Sequence, residues 1–232
     1  MLSERQEQII KSLVREYIKT AEPVSSKFLA EKHDFGLCPS AIRIELQALI
    51  REGFLEQPHT SAGRIPTDKA YRFFVDHLKE KREEKIEEEL EEIIRGVEDK
   101  FRMASEIAKF IADNSSSFVN LYFAKEGLNL KEGLDEIFKE PESRDEDFIN
   151  SFVNFLTNFE KNVDKLQTNS KTQIFIGKEN PIAKSKDMTM ICSECNLPSQ
   201  KVIITIMGPR RMDYEKNIKL INSLNKVLEE LI

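Results

Sequence analysis

The sequence predicts an α+β protein built in three successive parts, and three observations carry this prediction. Residues 1–78 combine helical apolar stripes with a short segment bounded by prolines. Residues 79–113 are rich in charge, with apolar residues at heptad spacing. Residues 114–232 mix further helical stripes with apolar runs typical of strands. The 232 residues are enough for one large domain or two small ones.

The first two helices are marked by their caps and stops. Ser3 is an N-cap with Gln6 three residues later, which predicts a capping box at the start of a helix that runs to about Thr20. Glu22-Pro23 ends that helix. Ser25 then caps a second, short helix that ends near His33.

A third helix begins at Pro39, a residue suited to the first helical position, and ends at Gly53. Apolar residues at i, i+4, i+7 and i+8 predict the buried face: Ile42, Leu46, Leu49 and Ile50. The opposite face then carries Ser40, Arg43, Ile44, Gln47 and Arg51. A short helix, a turn and a longer helix form a helix-turn-helix, whose second helix enters the major groove of DNA.

The outward face carries chemistry suited to base recognition. Arg43 can donate two hydrogen bonds to guanine, and Gln47 can pair with adenine. Ile44 either contacts a thymine methyl or packs on a neighbouring helix. A plain solvated helix face is the alternative interpretation of Arg43 and Gln47.

The segment EQPHTSAGRIPT, residues 56–67, follows a short strand candidate at 54–57. Its two prolines suit an edge hairpin, because proline lacks an amide donor. The side chains and backbone of the segment can contact phosphate, and an arginine can also enter a minor groove. The predicted DNA-contacting residues here are His59, Thr60, Ser61, Gly63 and Arg64. Three helices followed by such a hairpin predict a winged helix-turn-helix domain.

Net charge gives weak support to a nucleic-acid contact in the first part. The chain has a formal charge of −6. Residues 1–82 contain 14 basic and 12 acidic residues, whereas the rest contains 21 and 29. A slightly basic head on an acidic body would confine any DNA contact to the head.

After a helix with Tyr71 and Phe74 on one face, the heptad series predicts one long helix over 79–113. Its seam would pair two copies of the chain through Ile86, Leu90, Ile93 and Val97. Packing of the same stripe on its own domain is an equally weighted alternative.

The last part of the chain predicts a mixture of helices and strands. Helical segments are expected near 130–140 and 145–166, with a final helix from Tyr214 to Ile232. Strand candidates are Gln173–Ile176, Met188–Cys192 and Val202–Met207. The regularly spaced phenylalanines between 148 and 159 indicate core packing.

The three cysteines give little ground for a catalytic or metal site. Cys192 and Cys195 have the spacing of a metal or redox pair, but no second pair exists for a structural zinc. We therefore expect ordinary buried cysteines, no metal, no cofactor and no enzyme. The first residues lack a signal peptide and no apolar run reaches a membrane span, so a cytoplasmic location is expected.

Several motifs closely resemble those of the heat-inducible transcription repressors, the HrcA family. The wing segment 56–68 followed by Tyr71-Arg72-Phe73 is the most specific of them. Gly177-Lys-Glu-Asn-Pro181 and Gly208-Pro-Arg-Arg-Met-Asp-Tyr214 resemble two further family motifs, in the same order along the chain.

The resemblance implies a dimeric repressor of chaperone operons that binds an inverted-repeat operator on double-stranded DNA and leaves it under heat stress. It also implies a GroEL-type chaperonin as a partner. The implied architecture is a winged-helix head, a GAF-like domain and an inserted dimerisation domain. A winged-helix adaptor that binds protein instead of DNA is the alternative.

Two features depart from the family pattern. Where relatives commonly have Thr-Ile-Arg-Asn, this chain has Ala41-Ile42-Arg43-Ile44, so the operator sequence of relatives does not carry over. The segment 118–123 leads almost directly to 127–134, so the inserted domain is largely absent. We therefore expect a long helix followed by a reduced GAF-like domain.

Overall fold

The computed structural model describes residues 2–60, 62–78, 83–168, 171–197 and 200–231. The chain divides into two compact units, Met1–Leu78 and Lys79–Ile232, called unit 1 and unit 2. The predicted contact residue Ser61 lies outside the described residues, as does the 79–82 part of the predicted long helix.

Unit 1 begins with three helices at the positions that the caps indicate. They are α1 (Glu4–Thr20), α2 (Ser26–Lys32) and α3 (Pro39–Arg51). The capping box forms, since the Ser3 hydroxyl accepts from the Gln6 amide and the Gln6 side chain accepts from the Ser3 amide. The hydroxyl of Ser25 accepts from the Phe28 amide and caps α2.

A two-stranded antiparallel hairpin follows α3. Strand β1 (Leu55–Glu56) pairs with β2 (Ile65–Pro66), and helix α4 (Asp68–Asp76) completes the unit. Thr67 ties the hairpin to the end of α3, because its hydroxyl lies 2.7 Å from the Gly53 carbonyl oxygen and 2.9 Å from that of Phe54. The core beneath α1–α4 is apolar and fully buried; it includes Ile9, Ile10, Leu13, Leu29, Ile42, Leu46, Leu49, Tyr71 and Phe74.

The single helix predicted over 79–113 is wrong. Two helices, α5 (Glu84–Gly96) and α6 (Lys100–Ser115), occupy the described part of this region. The backbone turns extended at Val97, and the Asp99 carboxylate caps a new helix by accepting from the Arg102 amide at 2.8 Å. Gly96, the last residue of α5, is unfavourable inside a helix and so helps to end α5 there. The apolar residues at heptad spacing are therefore divided between two helices and do not form one continuous seam.

The expectation that Leu90 pairs two chains is also corrected. Leu90 is 0% exposed within the single chain, where α5 packs against α6 and the terminal helix α9 (Tyr214–Leu231). Ile86, Ile93 and Val97 are half-buried. Packing of the stripe on its own unit, the alternative interpretation, therefore describes Leu90.

Unit 2 is organised around a five-stranded antiparallel sheet. Its strands are β3 (Phe118–Phe123), β4 (Leu128–Glu132), β5 (Gln173–Ile176), β6 (Met188–Leu197) and β7 (Gln200–Pro209). The strand order across the sheet is β4-β3-β7-β6-β5. The predicted strands near 173, 188 and 202 all form, and the predicted helical segment at 130–140 is in part strand β4, which pairs with β3.

Helices cover both faces of this sheet. Phenylalanines of α8 (Glu146–Asn162) pack on the face that carries Phe118, Met190 and Cys192. Helices α6 and α9 pack on the opposite face. Side chains alternate in direction along a strand, so Phe123 of β3 points to the face opposite to Phe118. There Phe123 contacts Phe101 of α6, with ring centroids 5.2 Å apart. A short helix α7 (Leu134–Lys139) follows β4.

The two family-like motifs of unit 2 hold turns in place. Asn180 is fully buried, and its side-chain oxygen accepts from the amides of Ile182 and Ala183 at 3.0 and 2.8 Å. Arg211 forms a two-pronged ion pair with Glu142, at 2.6 and 3.0 Å, and also contacts Glu140. In both motifs, these residues therefore stabilise the fold of unit 2.

Candidate nucleic-acid interface

Helix α3 presents an exposed polar face built by its own periodicity. Ile42, Leu46 and Leu49 are buried at 0–1% exposure, which turns the intervening positions outward. All five predicted contact residues on this helix are exposed: Ser40, Arg43, Ile44, Gln47 and Arg51. The start of the face is ordered by a contact of 3.0 Å between the Ser40 hydroxyl and the Cys38 sulfur.

Two side chains of this face, Arg43 and Ile44, are exposed to solvent. Ile44 is 68% exposed, so it does not pack on a neighbouring helix within the described chain. Arg43 makes no hydrogen bond or ion pair with any residue that the structure describes. The Arg43 guanidinium is therefore available to an external acceptor, and Ile44 offers an apolar contact beside it.

The tip of the hairpin is ordered by its own hydrogen bonds. The Ala62 amide donates to the His59 carbonyl at 2.9 Å, and the Gln57 side chain donates to the Thr60 and Ala62 carbonyls at 2.7 and 3.2 Å. The side chains of His59 and Thr60 remain exposed. These hydrogen bonds hold the described residues of the tip together, with the side chains of His59 and Thr60 turned to solvent.

The base of the hairpin is fixed to the loop between α1 and α2. Val24 and Arg64 exchange two backbone hydrogen bonds, of 2.9 and 2.8 Å. A Cβ atom at Gly63 would lie 2.4 Å from the Pro23 carbonyl oxygen, so only glycine permits this approach. The sequence assigned Gly63 to close contact with phosphate; its close contact in the structure is with the protein's own backbone.

Arg64 does not project from the hairpin. It is 8% exposed, and its Nη1 donates to the Ala62 carbonyl at 2.9 Å and to the Gly63 carbonyl at 3.4 Å. Its Nε–H is buried with no hydrogen-bond partner among the described residues. Burial, followed by the nearby charge of Arg43, lowers the pKa of the Arg64 guanidinium. The expectation that Arg64 enters a minor groove does not fit this folded-back position.

A cleft of about 490 Å³ lies between α3 and the hairpin within unit 1. Its described lining contains two arginines and several residues with hydroxyl or amide side chains, and no carboxylate among them. The lining residues are Ser25, Ser26, Arg43, Leu46, Gln47, Gln57, Thr60, Ala62, Gly63 and Arg64.

Sequence reasoning placed Arg43, Gln47, Thr60, Gly63 and Arg64 at the interface, and the structure brings all five to this cleft. It missed three polar contributors. Gln57 organises the tip, and Ser25 and Ser26 reach the cleft from the start of α2. For Gln57 the sequence offered one signal of a structural role: a glutamine stands directly before Pro58, at a position where loops usually have a residue that favours turns.

The two cysteines of unit 2 lie on opposite faces of one strand. Cys192 and Cys195 are three residues apart on β6, so they point to opposite faces, and burial raises the pKa of both thiols to about 12. In the described part of the chain, no group of His, Cys, Asp and Glu side chains could hold a metal ion. Across those same residues, no helix combines the length and apolarity needed to cross a membrane.

Together, the fold defines a class of protein: a two-unit α+β chain in which an exposed helix face stands beside a preformed hairpin. The family model described as the HrcA protein C terminal domain matches residues 57–218. The chain belongs to the HrcA family.

Curated relatives match between about a third and a half of the chain. A heat-inducible transcription repressor HrcA of Streptomyces avermitilis is 53% identical over 78 residues, 34% of this chain and 23% of that protein. The one from Carboxydothermus hydrogenoformans is 47% identical over 108 residues, 46% of this chain and 31% of that protein. The matched part thus spans less than a third of the length of these relatives.

A solved structure, described as the crystal structure of a hypothetical protein at 2.2 Å resolution, shares the fold. It has a TM-score of 0.77 and 17% sequence identity, and the match covers 99% of this chain and 98% of that one. At this identity the likeness concerns the fold alone.

Proposed function

We propose that the chain is a transcriptional repressor that binds double-stranded DNA through unit 1, used as a winged helix-turn-helix. Helix α3 acts as the recognition helix, and the hairpin β1–β2 acts as the wing. The relatives from Streptomyces avermitilis and Carboxydothermus hydrogenoformans are named heat-inducible transcription repressors, which supports this assignment.

The exposed face of α3 carries the proposal. It places Arg43 and Gln47 one turn apart, both exposed, with the exposed Ile44 between them. An arginine can read guanine with two donors, a glutamine can read adenine, and a methyl-bearing side chain can cover a thymine methyl. Exposure of an isoleucine is unfavourable in water, and a groove contact would remove that cost.

The operator is proposed to be an inverted repeat bound by a homodimer. Two-fold symmetric DNA requires two recognition helices related by a dimer axis. Because Leu90 is buried within its own unit, the dimer interface is not assigned to the α5 seam. In this proposal unit 2 serves as a reduced GAF-like body without a cofactor.

An electrophoretic mobility shift tests the proposal directly. The full chain is titrated into an inverted-repeat operator of the family and into a scrambled duplex of equal length, at several salt concentrations. We expect preferential binding to the inverted repeat and a steep loss of affinity with salt. Equal affinity for the two duplexes would contradict the proposed function.

The proposal also includes release of the repressor from its operator on heating and support of its activity by a GroEL-type chaperonin. Its proposed location is the cytoplasm. The names of the two relatives, heat-inducible transcription repressors, support only the response to heat. Operator binding is measured over a temperature ramp, with and without chaperonin. Loss of binding on warming, restored by chaperonin on cooling, is the expected result; binding that is insensitive to both would remove this part.

A winged-helix adaptor that binds protein is the second candidate, and the 68% exposure of Ile44 is the observation that favours it. Exposed apolar side chains also mark protein interfaces. Substituting Ile44→Ser separates the two. A repressor would lose affinity for one base step, whereas an adaptor would bind no duplex specifically before or after the change.

A further inference from the structure

The cleft between α3 and the hairpin holds more positive charge than the protein itself neutralises. Arg43 and Arg64 both line it, and none of the described lining residues carries a carboxylate. The Arg64 side chain is more than nine-tenths buried, yet its Nε–H lacks a hydrogen-bond partner among the described residues. A buried cation whose only acceptors are neutral carbonyl groups is costly, because it has lost hydration without gaining a counter-ion.

The remaining lining adds hydrogen-bond donors around this charge. Ser25, Gln47 and Thr60 line the same space, and their side chains carry hydroxyl and amide donors. A cleft of about 490 Å³ accommodates a phosphate with its attached sugar. Guanidinium groups match phosphate oxygens geometrically and remain charged, so phosphate fits this donor set better than a carboxylate or a neutral ligand.

The position of Arg64 is set before any ligand arrives. The backbone hydrogen bonds between Val24 and Arg64, together with the close approach at Gly63, fix the residue to the α1–α2 loop. The two carbonyl acceptors of Nη1 then orient the guanidinium plane. The free Nε–H is therefore held in place, which lowers the entropic cost of binding an anion.

We propose that this cleft is a phosphate-binding pocket that takes one backbone phosphate of the bound DNA strand, with the Arg64 Nε–H as its buried donor and the positive charge of Arg43 nearby at its rim, where Arg43 remains free to read a base. The proposal rests on the proposed function and refines it, since it assigns one phosphate to an interior pocket instead of the outer surface of the wing. A free phosphate group shares the chemistry and is the other source.

Methylphosphonate scanning tests the pocket on DNA. A duplex that the full chain binds is made with one neutral methylphosphonate at a time along each half-site. We expect one position per half-site to lower wild-type affinity by about tenfold or more. In Arg64→Lys, which keeps the charge but removes the Nε–H, that same position should cost little further.

The matched control removes a guanidinium outside the cleft. Arg5 is an exposed residue of α1, and Arg5→Ala should keep the full methylphosphonate penalty. If Arg64→Lys does not fold, Thr60→Val replaces it, because Thr60 is exposed and its hydroxyl is one of the proposed donors of the cleft. A penalty of equal size in wild type and in the cleft variant overturns the pocket while leaving DNA binding intact.

Nuclear magnetic resonance on the uncomplexed full chain separates the two sources of phosphate. The Arg64 Nε–H signal is followed while inorganic phosphate is added, against chloride at equal ionic strength. A saturable, phosphate-specific shift supports the pocket. If that shift occurs but no duplex binds, the proposed function fails and the pocket serves a free phosphate group; if neither is seen, both proposals are overturned.

Discussion

Arg43 is exposed on α3 and makes no hydrogen bond or ion pair with the described residues, so its loss should affect recognition and not folding. We predict that Arg43→Ala weakens operator binding by about 1–3 kcal/mol and relaxes discrimination at one base position. Competition binding against single-base variants of the operator measures both effects. Arg5→Ala is the control for loss of charge. An unchanged ratio of operator to scrambled affinity in Arg43→Ala would remove the base-reading role.

Gly63 is a residue on which the position of the hairpin depends. A methyl group there would meet backbone atoms of Pro23 and Val24 at 2.4–2.5 Å, which no side-chain rotation relieves. We predict that Gly63→Ala destabilises unit 1 by about 1–3 kcal/mol through this overlap. Thermal unfolding monitors the change.

The matched control for Gly63 is Gly96. A Cβ atom at Gly96 meets nothing within 4 Å, at the end of helix α5. Gly96→Ala should be neutral or stabilising by up to about 1 kcal/mol, because alanine favours the helix. Equal melting temperatures for the two variants would show that the close approach at Gly63 is unimportant.

Glu16 is a buried carboxylate whose ionisation contributes to stability. It is 2% exposed, with the Lys32 Nζ and the His33 Nε2 at 2.5 and 3.1 Å. Burial raises the pKa of Glu16, but the hydrogen bond and charge of Lys32, the hydrogen bond with His33 and the charge of Lys19 together outweigh burial, so the pKa of Glu16 is lowered. The stabilisation is present above the unfolded pKa of about 4.3 and is lost as pH falls through the lower folded value.

We predict that Glu16→Gln costs about 1–3 kcal/mol at pH 7 and progressively less below about pH 4. Urea unfolding at a series of pH values gives the difference. Glu7→Gln, on a half-exposed residue of the same helix, is the control and should change little. A cost that stays constant down to pH 3 contradicts the role assigned to the charge.

For single residues, the sequence predicts which way a helical side chain points better than it predicts whether a loop side chain is buried. Helical spacing alone gave the outward positions of Arg43, Ile44 and Gln47, since periodicity fixes which side of a helix faces the core. It could not place Arg64, whose burial depends on a backbone contact with Val24, forty residues earlier. Contacts between distant segments leave no local pattern.

At the element scale, α5 tests how a heptad stripe is used. Leu90 is 0% exposed, whereas Ile93 on the same helix is half-buried. We predict that Leu90→Ala destabilises unit 2 by about 2–5 kcal/mol and Ile93→Ala by clearly less, because only the first leaves an interior cavity. Denaturant unfolding measures both, and light scattering should give the same mass for both variants as for wild type. A halved mass for Leu90→Ala would restore the pairing seam.

Helices with explicit end signals and strands with long apolar runs were predictable, whereas strand β4 and the break between α5 and α6 were not. The starts of α1, α2 and α3 follow from Ser3, Ser25 and Pro39, which act locally. The break between α5 and α6 was hidden by an apolar series that continues through it. Strand β4 was taken for part of a helix because its partner β3 is what makes it a strand.

At the scale of the whole molecule, the reactivity of the three cysteines tests the packing of both units, since Cys38 lies in unit 1 and the other two lie in unit 2. Cys38 is exposed, and its hydrogen bond with Ser40 lowers its pKa, whereas Cys192 and Cys195 are buried with pKa values raised to about 12. We predict that a thiol reagent at pH 7 modifies one cysteine quickly in the native chain and all three after unfolding. Mass spectrometry counts the adducts. Rapid modification of a second thiol in the native chain would contradict the packing of β6.

The anchoring of the hairpin to the α1–α2 loop has a genetic consequence. If unit 1 is an operator-binding head, alleles that lose repression should arise at Pro23 and Gly63 as well as on the exposed face of α3. Such alleles would alter positions packed against each other inside the protein, and a second change in the α1–α2 loop could suppress a first in the hairpin. A selection for derepressed cells, followed by a search for intragenic suppressors, would map that joint without any structural measurement.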